Sequence, residues 1–201
     1  MSGRRLLAVV CALGLGASAL ACSSSDGRDL PPPRVAQTTT PSAPVIQSPD
    51  GSAEVFRLSS SSFAEGAQIP ERFTCRAVGL SPALEWTGTP LDASSLAIVV
   101  RDLNAGGFVH WVVTGIDPFV QSIGEDGLPE NALEGLNSTG STGWTPPCPP
   151  AGSGVHTYEI AVLALVDPVT VPLDAPAEQA AAALEAASAE RAVLTGTVAA
   201  S

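Results

Sequence analysis

His156-Thr157-Tyr158-Glu159-Ile160-Ala161-Val162-Leu163-Ala164-Leu165-Val166 is rich in β-branched and aromatic side chains and contains no glycine or proline. Such a run reads as a strand, and it is one of the two longest candidates in the chain. Phe108–Ile116 is the other. Shorter candidates are Val55–Leu58, Ser94–Val100 and Ala192–Ala199, and the gaps between them are punctuated by Pro, Gly, Ser and Asp. This spacing predicts a mainly β fold, an antiparallel Greek-key sandwich. One segment departs from it: Ala177–Arg191 is an Ala/Glu/Gln run with strong helix propensity, preceded by Asp174 and Pro176 as start signals. Because strands and helices do not alternate regularly, two packed sheets with one late helix fit better than an α/β arrangement.

The chain has 201 residues and a formal charge of −11, and all nine of its cations are arginines. Without lysine there is no Schiff-base chemistry and no P-loop lysine. An acidic chain also repels phosphate backbones, so no nucleic-acid partner is expected. With 45 % apolar residues it has enough material for a core.

Arg4 and Arg5 precede Leu6–Leu20, an uncharged apolar run of 15 residues. That is short for a spanning helix, which needs about 20. It matches the n-region and h-region of an export signal. Ala19-Leu20-Ala21-Cys22 followed by Ser23-Ser24-Ser25 resembles a bacterial lipobox, with the leucine one place late. The reading is a lipoprotein signal peptide at 1–21, lipid on Cys22, and a membrane-anchored product outside the cytoplasm. Its removal takes away two arginines and no acid, leaving −13. Residues 22–53 carry Pro31-Pro32-Pro33, Thr38-Thr39-Thr40 and scattered serines, which read as a tether. A domain of ordinary size then occupies 54–201.

Chemistry-bearing residues are few: two histidines, one tyrosine and three tryptophans. His110 adjoins Trp111, while His156 and Tyr158 stand two apart on one strand face. The histidines lie 46 residues apart with no close His or Cys partner, so a zinc site is not expected. No Gly-x-Ser-x-Gly elbow occurs and no Ser–His–Asp order stands out, so the chain does not read as an enzyme.

Four motifs stand in order: Ser81-Pro82-x-Leu84-x-Trp86, Asp102-x-Asn104-Ala105, His110-Trp111, and Cys148-Pro149-Pro150-x-Gly152 leading to His156-x-Tyr158. Ile69-Pro70 and Glu134-Gly135-x-Asn137 extend the series. It resembles the phosphatidylethanolamine-binding protein family, specifically its bacterial Raf kinase inhibitor-like (YbhB/YbcL) branch, across essentially all of 54–201. The resemblance implies a β-sandwich with a small pocket at one end that takes an anion or phospholipid head group. Its lining would be Asp102, Asn104, His110, Pro149, Gly152, His156 and Tyr158, brought to one rim, with no cofactor and no catalytic nucleophile. On a rim, His156 would serve binding and support little packing. The family also places the segment before Ser81-Pro82 near the proline loop, which implies a Cys75–Cys148 disulfide in an oxidising compartment.

Three positions depart from the family pattern. Asn104 stands where a second aspartate is usual, Gly106 where a proline is, and Pro146 where a glycine is. Asparagine removes a carboxylate and adds an NH₂ donor, which favours anions over amines. The alternative reading is a protein-interaction module, of the protease- or kinase-inhibitor kind, with a decayed pocket.

Overall fold

The computed structural model describes residues 54–200; the expected signal peptide at 1–21 and the expected lipidated Cys22 and tether at 22–53 lie outside the described residues. The chain forms β1 (Arg57–Ser59), β2 (Leu84–Thr87), β3 (Ser95–Asp102), β4 (Phe108–Ile116), β5 (Ser122–Ile123), β6 (Leu133–Glu134), β7 (Val155–Leu165), α1 (Ala177–Ala187) and β8 (Ser188–Ala199). A small sheet has the order β1-β2-β5 and a large one the order β6-β4-β3-β7-β8. Every paired strand is antiparallel.

The near-continuous apolar character of β7 follows from burial on both faces. Tyr158, Ile160, Val162 and Ala164 enter the core between the sheets, with Trp86, Trp111, Phe73 and Leu84. Ala161, Leu163 and Leu165 enter a second core beneath α1, with Ala177, Ala180, Ala181 and Leu184. β3 divides in the same way, Leu96, Ile98 and Val100 against Ala97 and Val99. A strand buried on two sides loses the polar alternation of a half-exposed one. The helix is tied to β4 through Ser138, whose hydroxyl donates to Glu178 at 2.5 Å and accepts the Val109 N–H at 2.7 Å.

The helix is shorter than its composition predicts. It stops at Ala187, and Ser188–Arg191, expected to be helical, already belong to β8. Glu190 and Arg191 pair with Ala164 and Leu163 of β7, and Arg191 meets Glu159 at 2.7 Å. Ladder pairing overrides local helix propensity here. Pro176 occupies the N-cap position, and no side chain caps the helix, so Asp174 does not serve that role. β1 begins at Arg57 rather than Val55, and β2, β5 and β6 are additional to the expected strands.

The outer edge of β8 is covered by residues 66–69. Gly66 N–H donates to Thr195, Thr197 N–H to Ala67, and Ile69 N–H to Thr197, at 2.8–2.9 Å. The cover fits closely because position 196 is glycine: a Cβ there would lie 2.7 Å from both Ile69 and Phe63.

Candidate functional site

β3 and β7 are neighbours, and their register sets Asp102 opposite Tyr158. His156 lies two residues earlier on β7, so it shares the face of Tyr158. His110 arrives differently. Val100 pairs with Trp111 but Arg101 pairs with Val109, which leaves His110 as the extra residue of a β-bulge. A bulge of this kind re-aims a side chain. Its ring lies edge-on to Tyr158 with centroids 5.2 Å apart, and 4.8 Å from the Phe108 ring. Four of the expected residues, Asp102, His110, His156 and Tyr158, are thus brought together at the end of β3.

This group is buried, not a solvent-facing rim: Asp102, His110, His156 and Tyr158 are each at most 5 % exposed. His156 Nδ1 lies 2.6 Å from Asp102 Oδ2. The expectation that His156 supports little packing is therefore corrected, because removing it would leave a buried carboxylate without its ring partner. Asp102 Oδ1 accepts the Asn104 N–H at 2.8 Å, and Asn104 Oδ1 accepts the Thr157 N–H at 2.7 Å. Asn104 is exposed and ties the β3–β4 turn to β7.

His110 Nδ1 sits 2.8 Å from the Thr145 carbonyl, and Thr145 N–H returns a bond of 2.9 Å to the His110 carbonyl. A carbonyl only accepts, so Nδ1 carries the proton and Nε2 is the ring's remaining polar atom. Burial pushes the His110 imidazole below its ordinary pKa; the Thr145 bond and the Asp102 charge work against that shift. Burial, and then Asp102, push the Tyr158 phenol well above its ordinary range, so it stays an O–H donor. Its oxygen is one of two buried side-chain polar atoms without a hydrogen-bond partner among the described residues.

The loop before β7 supports this cluster. Trp144 stacks edge-on to Trp111 at 5.8 Å and donates its indole N–H to Gly79 at 3.0 Å. Cys148 is bonded to Cys75, and Cys75 N–H donates to Pro147 at 3.0 Å. Pro149 is buried, whereas Gly152 is exposed in a turn with φ of +79°. Neither has a hydrogen bond to the four clustered side chains among the described residues. Sequence reasoning missed Thr145, which fixes the His110 tautomer through its backbone and so leaves no side-chain signature.

A shallow apolar groove, lined by Val171, Pro172, Pro176 and Ala180, lies against α1. It contains none of the clustered residues.

Comparison with known proteins gives one family. The sequence model described as phosphatidylethanolamine-binding protein matches residues 59–199. A Mycobacterium tuberculosis protein named as a candidate lipoprotein, LppC, is 38 % identical over 193 residues, covering 95 % of this chain and 92 % of that protein. Escherichia coli YbcL, whose crystal structure is described as a new member of the mammalian family, superposes with a TM-score of 0.67 at 28 % identity, covering 71 % of this chain and 96 % of YbcL. A candidate homologue from Chlamydia trachomatis, CT736, gives 0.64 at 31 % identity, covering 72 % and 97 %.

Proposed function

The chain belongs to the phosphatidylethanolamine-binding protein family, in its bacterial YbhB/YbcL branch, and from that premise we propose that the Asp102–His110–His156–Tyr158 cluster binds a small phosphorylated or carboxylate anion. The observation that carries this reading is the buried Tyr158 hydroxyl, which meets no partner at hydrogen-bond geometry and feels the Asp102 carboxylate, on a ring that lies edge-on to His110 and shares a strand face with His156, while both histidine Nδ1 atoms are already engaged. A buried donor left without a partner costs about 1–3 kcal/mol, which a ligand oxygen would recover.

The histidine tautomers add a chemical condition. With each Nδ1 engaged, a neutral ring offers Nε2 only as an acceptor, and an anion needs donors. Protonation converts Nε2 into an N–H donor and adds positive charge. At His110, whose ring is held below its ordinary pKa by burial, anion binding therefore couples to proton uptake and strengthens as pH falls. The proposal is one of binding; both cysteines of the domain are in a disulfide, so neither is a thiol nucleophile.

Calorimetric titration with inorganic phosphate and with phosphoethanolamine at pH 6.0 and 7.5 tests this. Tighter binding at the lower pH is expected, with roughly a 10- to 100-fold loss in His156→Ala, corresponding to about 1–3 kcal/mol. Absence of heat from either ligand at millimolar concentration, at both pH values, overturns it in favour of an interaction module with a decayed pocket.

We further infer that lipid on Cys22 holds the domain on the outer face of a membrane, a reading supported by the likeness to LppC. Cys22→Ser should release the domain or stall its processing. An intact mass of the wild-type protein without lipid on Cys22 rules the anchor out.

A further inference from the structure

The two most exposed large hydrophobic residues of the described chain are Leu91, at 106 %, and Phe119, at 91 %. Both sit inside four-residue turns. Ala93 N–H donates to Pro90 across the first, at 3.1 Å. Val120 N–H donates to Asp117 across the second, at 3.0 Å, and the Asp117 carboxylate also accepts the Phe119 N–H, at 2.8 Å. Such turn positions ordinarily go to Gly, Asn, Asp or Ser. Leucine and phenylalanine there bury nothing within the domain.

The two turns stand at the same end of the small sheet. Trp86, on β2, donates its indole N–H to Val120 and its backbone N–H to Gln121, both at 2.8 Å. The Pro90 turn follows directly from β2, and β1 runs alongside, with Arg57 opposite Thr87. Val55, 61 % exposed, is at this end as well: a Cβ at Gly88 would lie 2.4 Å from the Val55 carbonyl oxygen. The described chain therefore enters the domain beside the two apolar turns. β3 starts at this end and terminates at Asp102. Its seven residue steps, at about 3.3 Å each, put the buried cluster roughly 23 Å away.

We propose that Leu91 and Phe119, with Val55 beside them, insert into the interface of the bilayer that holds the lipid anchor, so that the Asp102 end points away from that membrane. The proposal rests on the anchoring inferred above. Thirty-one residues separate Cys22 from Glu54, the stretch whose composition reads as a tether, and a flexible chain of that length reaches on the order of 30 Å. The anchor would thus keep this end at a high effective concentration near the surface, where insertion of a few side chains suffices. Glu54, Asp92 and Asp117 flank the turns and are exposed, so the contact is apolar and does not depend on anionic lipid. One consequence bears on the ligand. A head group of the anchoring bilayer cannot reach a site some 23 Å beyond the surface, so the anion taken up by the cluster comes from solution.

The test uses the full lipidated chain in phosphatidylcholine vesicles that contain lipid brominated along the acyl chains. Phe119→Trp adds a fluorophore at the tip, and Leu103→Trp adds one at the pocket end, where Leu103 is 51 % exposed. Wild-type protein supplies the background from Trp86, Trp111 and Trp144. The added emission of Phe119→Trp should fall at least twofold with brominated lipid, and that of Leu103→Trp should not change. A floating protein whose Phe119→Trp emission is unquenched overturns the orientation while leaving the anchor intact. Equal quenching at both positions overturns it too, as does unquenched emission that instead shifts with protein concentration, which would assign the tips to a second copy of the chain. Protein that fails to float with the vesicles removes the anchor and this orientation together.

Discussion

His110 depends on a single extra residue. Adjacent residues of a regular strand face opposite sides, yet the bulge at Val100/Arg101 lets His110 and Trp111 both serve the inter-sheet side. Nothing in the residue types announces a bulge, so the His-Trp pair was legible as a motif but not as a geometry. Its buried, neutral ring has a stability consequence. The unfolded chain takes up a proton near the ordinary value of 6.5, whereas the native ring does so only at lower pH. Between those two values the unfolded state binds more protons, so stability is present above pH 6.5 and is lost as pH falls. In denaturant titrations from pH 7.5 to 5.0, wild type should lose stability relative to His110→Gln; parallel curves for the two proteins would contradict the assignment.

At the scale of elements, the legible parts were those with one dominant pattern. β4 matches its expected bounds, and β7 lies within a residue of its own, because each carries enough β-branched and aromatic side chains to outweigh alternatives. β5 and β6 are two residues long, too short for any periodicity to register. The junction of α1 with β8 was misread because Ala189, Glu190 and Arg191 favour a helix locally while pairing with β7 decides the outcome. Gly196 shows the same kind of hidden constraint. Its conformation is ordinary, but the close approach of Ile69 and Phe63 requires the missing side chain. Gly196→Ala should cost about 1–3 kcal/mol by overpacking, visible as a lowered Tm. An unchanged Tm would mean that the 66–69 cover yields to the added methyl group.

Across the whole molecule, the Cys75–Cys148 bond closes a loop with a sequence separation of 73. Loop-closure entropy gives it a stabilising effect of about 4 kcal/mol, so Cys75→Ser with Cys148→Ser should lower the urea midpoint substantially. A change below about 1 kcal/mol would show that the reduced chain is already constrained. The clustered residues themselves were legible in the order of the motifs along the chain. Their depth was not, because burial of a hydrogen-bonded pair such as His156 and Asp102 arises from the packing of distant strands.

The disulfide also fixes the moment at which the site matures. Cys148 lies three residues after Thr145, whose carbonyl sets the His110 proton, so the loop that orients one histidine is fastened by a bond that forms only in an oxidising compartment. A newly made chain in a reducing cytoplasm lacks that fastening. Reduced protein should accordingly bind phosphate more weakly than the oxidised form under the same calorimetric conditions. Under the anion-binding and export readings proposed above, binding would mature only after export, so the precursor would not sequester small anions where it is synthesised.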